Sequence, residues 1–249
     1  MLTKSEQPQP DTIASRVYKQ LRNDIISGVF PPGTHLVKRA LAKKYGVSVP
    51  PVIEACLRLE NDGLVENSPL VGSFTPLMYP EKLEEEHIFR EAIECQISRI
   101  YAVRASEADQ TLVMRLAESL DEAERNHKAE NPEGKRKYQK IHFEYHMLVA
   151  KLSRVKLLYH QMEKVWFRRL VLVWNVDKRM FPTPPNWHVK LTQALNSGNP
   201  ERAEVAMREH ININFNKKAV AIPNSIVQNN DYFDEVLSML PDSDPLVEQ

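Results

Sequence analysis

The residues best placed for chemistry are four histidines in the second half of the chain. His142 and His146 are four apart on a predicted helix, about 40° apart in projection, so both rings project to one side. His188 sits early in a later helix and His210 lies in the last long one. Imidazole is a good ligand for Zn, Ni, Cu or Fe. Taken singly, each histidine reads as a satisfied core or surface residue. Arg90, with Glu94 one turn later, is the other candidate. Its planar guanidinium suits a carboxylate ligand, and it suits equally a helix salt bridge to Glu94 or Glu86. Trp166, Trp174 and Trp187 read as core or interface residues, and Lys135-Arg136-Lys137 as a solvated helix start. There is no glycine-rich phosphate loop, no Cys-x-x-Cys pair and no defensible Ser/His/Asp order.

Long helices are needed to carry these histidines, and the sequence supplies them. Beyond Pro80, amphipathic patterns predict helices over 81–105, 107–130, 133–153, 155–178, 184–197 and 200–219, punctuated by Pro132, the cluster at 182–185 and Asn199-Pro200. Before Pro80 the elements are shorter. Ile13, Val17, Leu21, Ile25 and Ile26 form one helical stripe, with Asp11 as its expected N-cap and Gly28 as its end. Pro31, Pro32 and Gly33 make a turn. A short helix over 37–45 places Leu41 and Ala42 inward and stops at Gly46. Ser48 is placed to cap a third helix, with Pro50 and Pro51 in its first turn and Val52, Ala55, Cys56 and Leu59 at core spacing. Leu64-Val65-Glu66 and Gly72-Ser73-Phe74-Thr75 then read as two short strands. Three helices and a hairpin outline a winged helix-turn-helix, so the expected fold is mainly α, with this domain ahead of an all-α bundle.

The chain has 249 residues, with 33 Lys+Arg against 33 Asp+Glu and 42% hydrophobic residues. That mixture excludes collagen-like, low-complexity and wholly disordered classes. Zero net charge argues against a uniformly basic nucleic-acid coat but permits a local basic patch. No apolar run approaches the ~20 residues of a membrane helix, and residues 1–10 lack the apolar core of a signal peptide. Only Cys56 and Cys95 occur, which fits a reducing cytoplasm. The expected organisation is a disordered N-terminus over 1–10, a winged domain over 11–78, a helical domain over 79–222 and an acidic tail over 223–249. That tail, with a possible short helix over 236–240, reads equally as frayed or docked.

From Arg16 to Pro76 the sequence resembles the DNA-binding domain of the GntR family of bacterial transcription regulators. The resemblance is carried by Leu21, Ile25, Gly28, Pro32-Gly33, Leu36-Val37, Arg39, Leu41-Ala42, Gly46-Val47-Ser48, Pro51-Val52, Glu54-Ala55, Leu57 to Glu60, Asp62 to Val65 and Gly72. The part after Pro80 resembles the FCD effector domain of the FadR-type subfamily. The resemblance implies that the second helix crosses the DNA backbone and the third enters the major groove. It puts Arg39 at a DNA contact; Lys38, Lys43 and Lys44 on the same helix add phosphate contacts or simply form a solvated basic face. Ser48, Val49, Pro50 and Gly72 fall at the remaining DNA-contact positions. The departures lie here: Val49 and Ile53 stand where the family has arginines, and Val71 replaces the wing arginine. Each bidentate arginine–guanine pair is worth ~1–3 kcal/mol of discrimination, so the operator is A·T-rich, with Val49 or Pro50 on thymine methyls, or DNA binding is weak.

In the helical domain the resemblance implies a metal held by Asp-x-x-x-His and by two further histidines 22 positions apart. His142/His146 and His188/His210 reproduce both spacings, with His142 in the aspartate position. Losing that carboxylate disfavours Mg, Ca and Mn, leaving a divalent transition metal, Zn or Ni foremost. Arg90 matches the family arginine that pairs with a carboxylate effector. The family's pocket asparagine is Val155 here. The function expected is that of a cytoplasmic, homodimeric regulator binding a DNA operator and a small organic-acid effector. Two alternatives remain open: a metal-binding sensor with weakened DNA reading that acts through a partner, and a metal-dependent enzyme.

Overall fold

A computed structural model of the protein describes residues 12–77, 80–126, 132–175 and 183–213. The expected disordered start at 1–10, Asp11 and the acidic tail at 223–249 with its short helix lie outside the described residues. The protein is mainly α: a winged helix-turn-helix followed by an all-helical unit. By internal contacts the chain divides into two compact units. One carries the first five elements; the other runs from Tyr79 to Arg169 and resumes after Asn175.

The first unit is built on α1 (Ile13–Ile26), α2 (Lys38–Tyr45) and α3 (Val49–Asn61). α1 is capped by Thr12, whose side chain accepts from the Ser15 N–H at 3.1 Å. Asp11, the expected cap, lies outside the described residues; Thr12 takes the role with an extended backbone (φ −63°, ψ 157°). The stripe is buried at Ala14, Val17, Leu21 and Ile25, while Ile13, at the first position, is half exposed. α2 buries Leu41 and Ala42 and ends at Gly46, whose φ of +66° is left-handed. α3 buries Val52, Ala55, Cys56 and Leu59. Ser48 stands at its N-cap position, but its side chain makes no capping bond. Strands β1 (Glu66–Ser68) and β2 (Gly72–Phe74) pair antiparallel, with Asn67 opposite Ser73. Leu64 and Val65 were expected in the first strand. Instead they are buried where the chain leaves α3, with the Leu64 N–H bonded to the Leu59 carbonyl.

The second unit contains α4 (Pro80–Arg104), α5 (Glu107–Asn126), α6 (Pro132–Leu152), most of α7 (Lys156–Asn175, whose residues 170–175 group with the first unit), α8 (Trp187–Leu195) and α9 (Pro200–Asn212). The expected helices are recovered, with α8 starting later than 184; the stretches expected beyond 126, 175 and 213 are not among the described residues. α4 packs on α6 and α9, α5 on α6 and α8, and α8 on α9. Tyr101, Val113, Leu120, Tyr145, Met162, Trp166, Leu195 and Met207 lie in the shared core. Local caps set the helix starts. Ser106 and Asp109 exchange bonds at the start of α5, and the Asn199 side chain accepts from the Arg202 N–H at α9.

α8 is the exception, and it positions part of the site. Its N-cap residue, Asn186, has a left-handed backbone and makes no side-chain cap. The orphan N–H groups of His188 and Val189 are instead taken by the two carboxylate oxygens of Asp121 on α5, at 3.1 and 3.0 Å. Asp121 is 3% exposed. Replacing it by alanine strands buried donors, so Asp121→Ala is expected to cost about 2–3 kcal/mol. Denaturant unfolding checks this, with Thr12→Ala, an exposed cap worth ~1 kcal/mol, as the milder comparison.

Candidate functional site

α6 presents His142 and His146 on one face, and α8 and α9 bring His188 and His210 against them. His146, His188 and His210 are buried; His142 is partly accessible. The Nε2 atoms of His142 and His146 are 3.1 Å apart. Ligand nitrogens of His142, His146 and His210 all lie within 4.8 Å of one another. His188 borders this group, its ring centroid 5.0 Å from those of both His142 and His210. The four expected histidines are therefore brought together as a tight three with a fourth at the edge. Trp166 closes one side, 4.6 Å from the His146 ring, and Trp187 stacks on His210 at 6.0 Å.

Two carboxylates face the outer nitrogens of this group, Asp121 through a hydrogen bond and Glu94 at ion-pair distance. Glu94 Oε2 lies 2.6 Å from His146 Nδ1, and Asp121 Oδ1 lies 2.7 Å from His188 Nδ1. The sequence gives Glu94 only as a salt-bridge partner of Arg90, and gives no sign of Asp121. Glu94 also accepts from Arg90 Nε at 2.6 Å, so the salt-bridge reading of Arg90 is realised in the structure. Arg90 itself is 4% exposed, with its guanidinium 5.3 Å over the Trp166 ring.

Electrostatics follow from burial. Burial alone pushes the Glu94 carboxyl up, but Arg90 and His146 beside it outweigh that and bring it down to about 2. Burial likewise pulls His146 down to about 4 against the raising influence of Glu94. His142 and His210 are held well below the usual imidazole range, first by burial and then by neighbouring histidines. Burial raises Asp121 less than its bonds from the start of α8 lower it. At neutral pH Glu94 is anionic while His142, His146 and His210 are neutral, the state a metal needs.

The residues fit a transition metal. Two imidazole nitrogens bound to one Zn at ~2.0–2.1 Å stand about 2.9–3.4 Å apart for bond angles of about 90–109°, and His142 and His146 already stand at 3.1 Å. A carboxylate on the far ring nitrogen is the usual support of a ligating histidine. With the Nδ1–H groups of His146 and His188 facing carboxylates, their Nε2 atoms are left as donors to a metal. His188 Nε2 and His210 Nδ1 are buried and have no protein hydrogen-bond partner.

In the first unit the expected DNA-contact residues cluster on α2 and the start of α3. Arg39 and Lys43 are exposed. Lys38 instead donates to Ser73 Oγ, and Lys44 is drawn to Asp24 at 3.2 Å, so two of the four cations are partly engaged within the fold. Ser48 and Pro50 are exposed and Val49 is half-buried. Gly72, with φ +84°, opens β2 in a backbone conformation that side chains rarely adopt.

Comparison with known proteins is consistent across both units. Residues 13–74 match the profile of bacterial regulatory proteins of the gntR family, and residues 87–213 match the FCD domain. The transcriptional repressor RspR of Escherichia coli is 30% identical over 96 residues, which span 39% of this chain and 42% of that protein. The HTH-type transcriptional regulator YdhC of Bacillus subtilis is 27% identical over 213 residues, covering 84% of this chain and 91% of the relative. Among solved structures, Escherichia coli McbR/YncC superposes with a TM-score of 0.66 at 19% identity, covering 83% of this chain and 97% of that one. A regulator from Rhodococcus superposes with a TM-score of 0.64 at 21% identity, covering 84% and 98%; at such identities these two establish the fold. No described helix is long and apolar enough to cross a membrane. The first matched domain is that of bacterial regulatory proteins, and the chain belongs to the GntR family, with an FCD domain as its helical unit.

Proposed function

We propose that the protein is a cytoplasmic, homodimeric operator-binding regulator whose helical domain holds a divalent transition metal and a small carboxylate effector. Residues 11–78 form the DNA-binding domain and 79–222 the effector and dimerisation domain. The observation that supports the metal assignment is the pair of buried carboxylates beside the outer nitrogens of His146 and His188: Asp121 hydrogen-bonded to His188 and Glu94 in close ionic contact with His146. Their inner nitrogens are thereby directed to the centre. His142, His146 and His210 hold the ion, and His188 stands as the fourth ligand. An all-imidazole set favours Zn or Ni over Mg, Ca and Mn.

When bound, the metal supplies a positive centre for an anion. The chain's own part is to keep the imidazoles neutral and to shield His146, His188 and His210 from water. Arg90 is already held by Glu94 through Nε, so its Nη groups are the donors left for a ligand carboxylate. An effector that binds two domain arrangements unequally shifts their populations, and with them the spacing of paired α3 helices on a two-half-site operator.

Metal binding is read by unfolding and by tryptophan fluorescence, since Trp166 packs on both His142 and His146. Zinc or nickel at about 100 times its Kd should stabilise the metal-free protein by about 2.7 kcal/mol. His146→Ala should abolish that gain, and Glu94→Gln should weaken metal affinity roughly 10- to 100-fold; unaltered affinity in His146→Ala would sink the assignment. The metal-free protein has its own pH dependence. His146 titrates near 6.5 when unfolded and about 4 when folded, and His142 and His210 are depressed in the same direction. The unfolded chain thus binds more protons in that window, so stability is full above about pH 6.5 and falls as pH drops toward 4. Thermal unfolding between pH 7.5 and 4 measures it. Coupling to DNA is tested by titrating operator while metal and small organic acids are varied together; affinity that never changes would remove the effector role.

A further inference from the structure

The outward face of α3 is apolar where a DNA-reading helix usually carries hydrogen-bond donors. Pro50, Ile53 and Leu57 follow one another at helical spacing and are all exposed, Ile53 by 44% and Leu57 by 57%. Glu54 lies beside them, and no Lys or Arg shares that face. Arg58, the one cation in α3, is turned toward α1, where it donates to Ser15 Oγ at 3.1 Å and lies 4.3 Å over the Tyr18 ring. Leu70, in the β1–β2 turn, is 77% exposed, and Val71 follows it.

This stripe is not a requirement of folding, because α3 already meets the core with Val52, Ala55, Cys56 and Leu59. Its apolar groups lie in water until something covers them. The fold puts this helix in the major groove, where the apolar feature is the C5-methyl of thymine. The charges around the stripe favour DNA over a protein partner: Arg39 and Lys43 on α2 are exposed, and the Ser48 hydroxyl is unused by any cap at the N-terminus of α3. All three suit phosphates.

We infer that α3 reads thymine methyl groups through Pro50, Ile53 and Leu57, so that the operator is defined by A·T pairs rather than by guanines. The inference rests on the operator binding proposed above.

The test starts from duplexes selected by the full-length protein out of a random pool, at near-physiological salt. Replacing thymine by uracil removes only the methyl. Each lost methyl contact is expected to weaken binding roughly fourfold, and a full site by about tenfold to a hundredfold. Putting 5-methylcytosine in place of cytosine at a position changed from T·A to C·G should restore part of the loss. Ile53→Ala and Leu57→Ala, at exposed positions, should weaken binding to the thymine duplex and shrink the thymine-to-uracil difference. Ile53→Arg should shift the selected motif toward guanine. Tight, salt-resistant binding that is indifferent to uracil overturns methyl reading and leaves operator binding standing. Enrichment that vanishes with salt overturns both, and the stripe is then a protein-docking face.

Discussion

Two carboxylates buried in the helical unit set the terms for everything around them. A carboxylate away from water is tolerated only where its charge is met by partners. Glu94 is met by the Arg90 guanidinium and by His146. Asp121 is met by two backbone N–H groups and the ring nitrogen of His188. Asp121 therefore fixes His188 in one orientation while its own desolvation is met, and Glu94 places its charge against His146. Asp121 does more, because the same carboxylate starts α8 where the local residue Asn186 does not. Helix placement and histidine orientation are one interaction there, so neither can be changed alone.

That coupling explains what could be read from the sequence. The helices, the core stripe of α1 and the inward positions of α3 follow from periodicity, which is local. The histidine set was legible because two of the histidines share one helix at i, i+4, and the other two match a known spacing. Glu94 was half legible: it stands one turn from Arg90, which announces an ion pair but not the histidine on its other oxygen. Asp121 was illegible, since its partners lie 67 and 68 residues away on another helix and no local pattern records them. The shifted cap at Thr12 and the late start of α8 have the same origin. Caps depend on backbone dihedrals and on distant acceptors, which residue type alone does not fix.

The DNA-binding unit shows the complementary case. Its core residues are the expected ones, yet two of its four α2 cations are engaged by Ser73 and Asp24. Exposed charge seeks the nearest opposite charge or acceptor on its own fold, so a basic helix read from sequence overstates what is free for phosphate. On α3 the helix is amphipathic in an unusual sense, with apolar residues on both the core face and part of the outer one. Such a surface is kept from the core by geometry, because Val52 and Leu59 already fill the inward positions.

The replacement of a family aspartate by His142 can then be weighed as charge. With four neutral imidazoles, a divalent ion would keep both its charges at the centre. Glu94 and Asp121, one step outside, would offset them, and Arg90 would add one positive charge back. These groups alone would leave one positive charge in a buried setting, where screening is weak, and Arg169 and Glu124 also act there, one of each sign. Had residue 142 been an aspartate, the same count would have come to zero and an anion would have gained less by entering. At the proposed site the histidine would trade affinity for the metal against affinity for an anion, and Glu94 and Asp121 would limit that trade through the imidazoles they face.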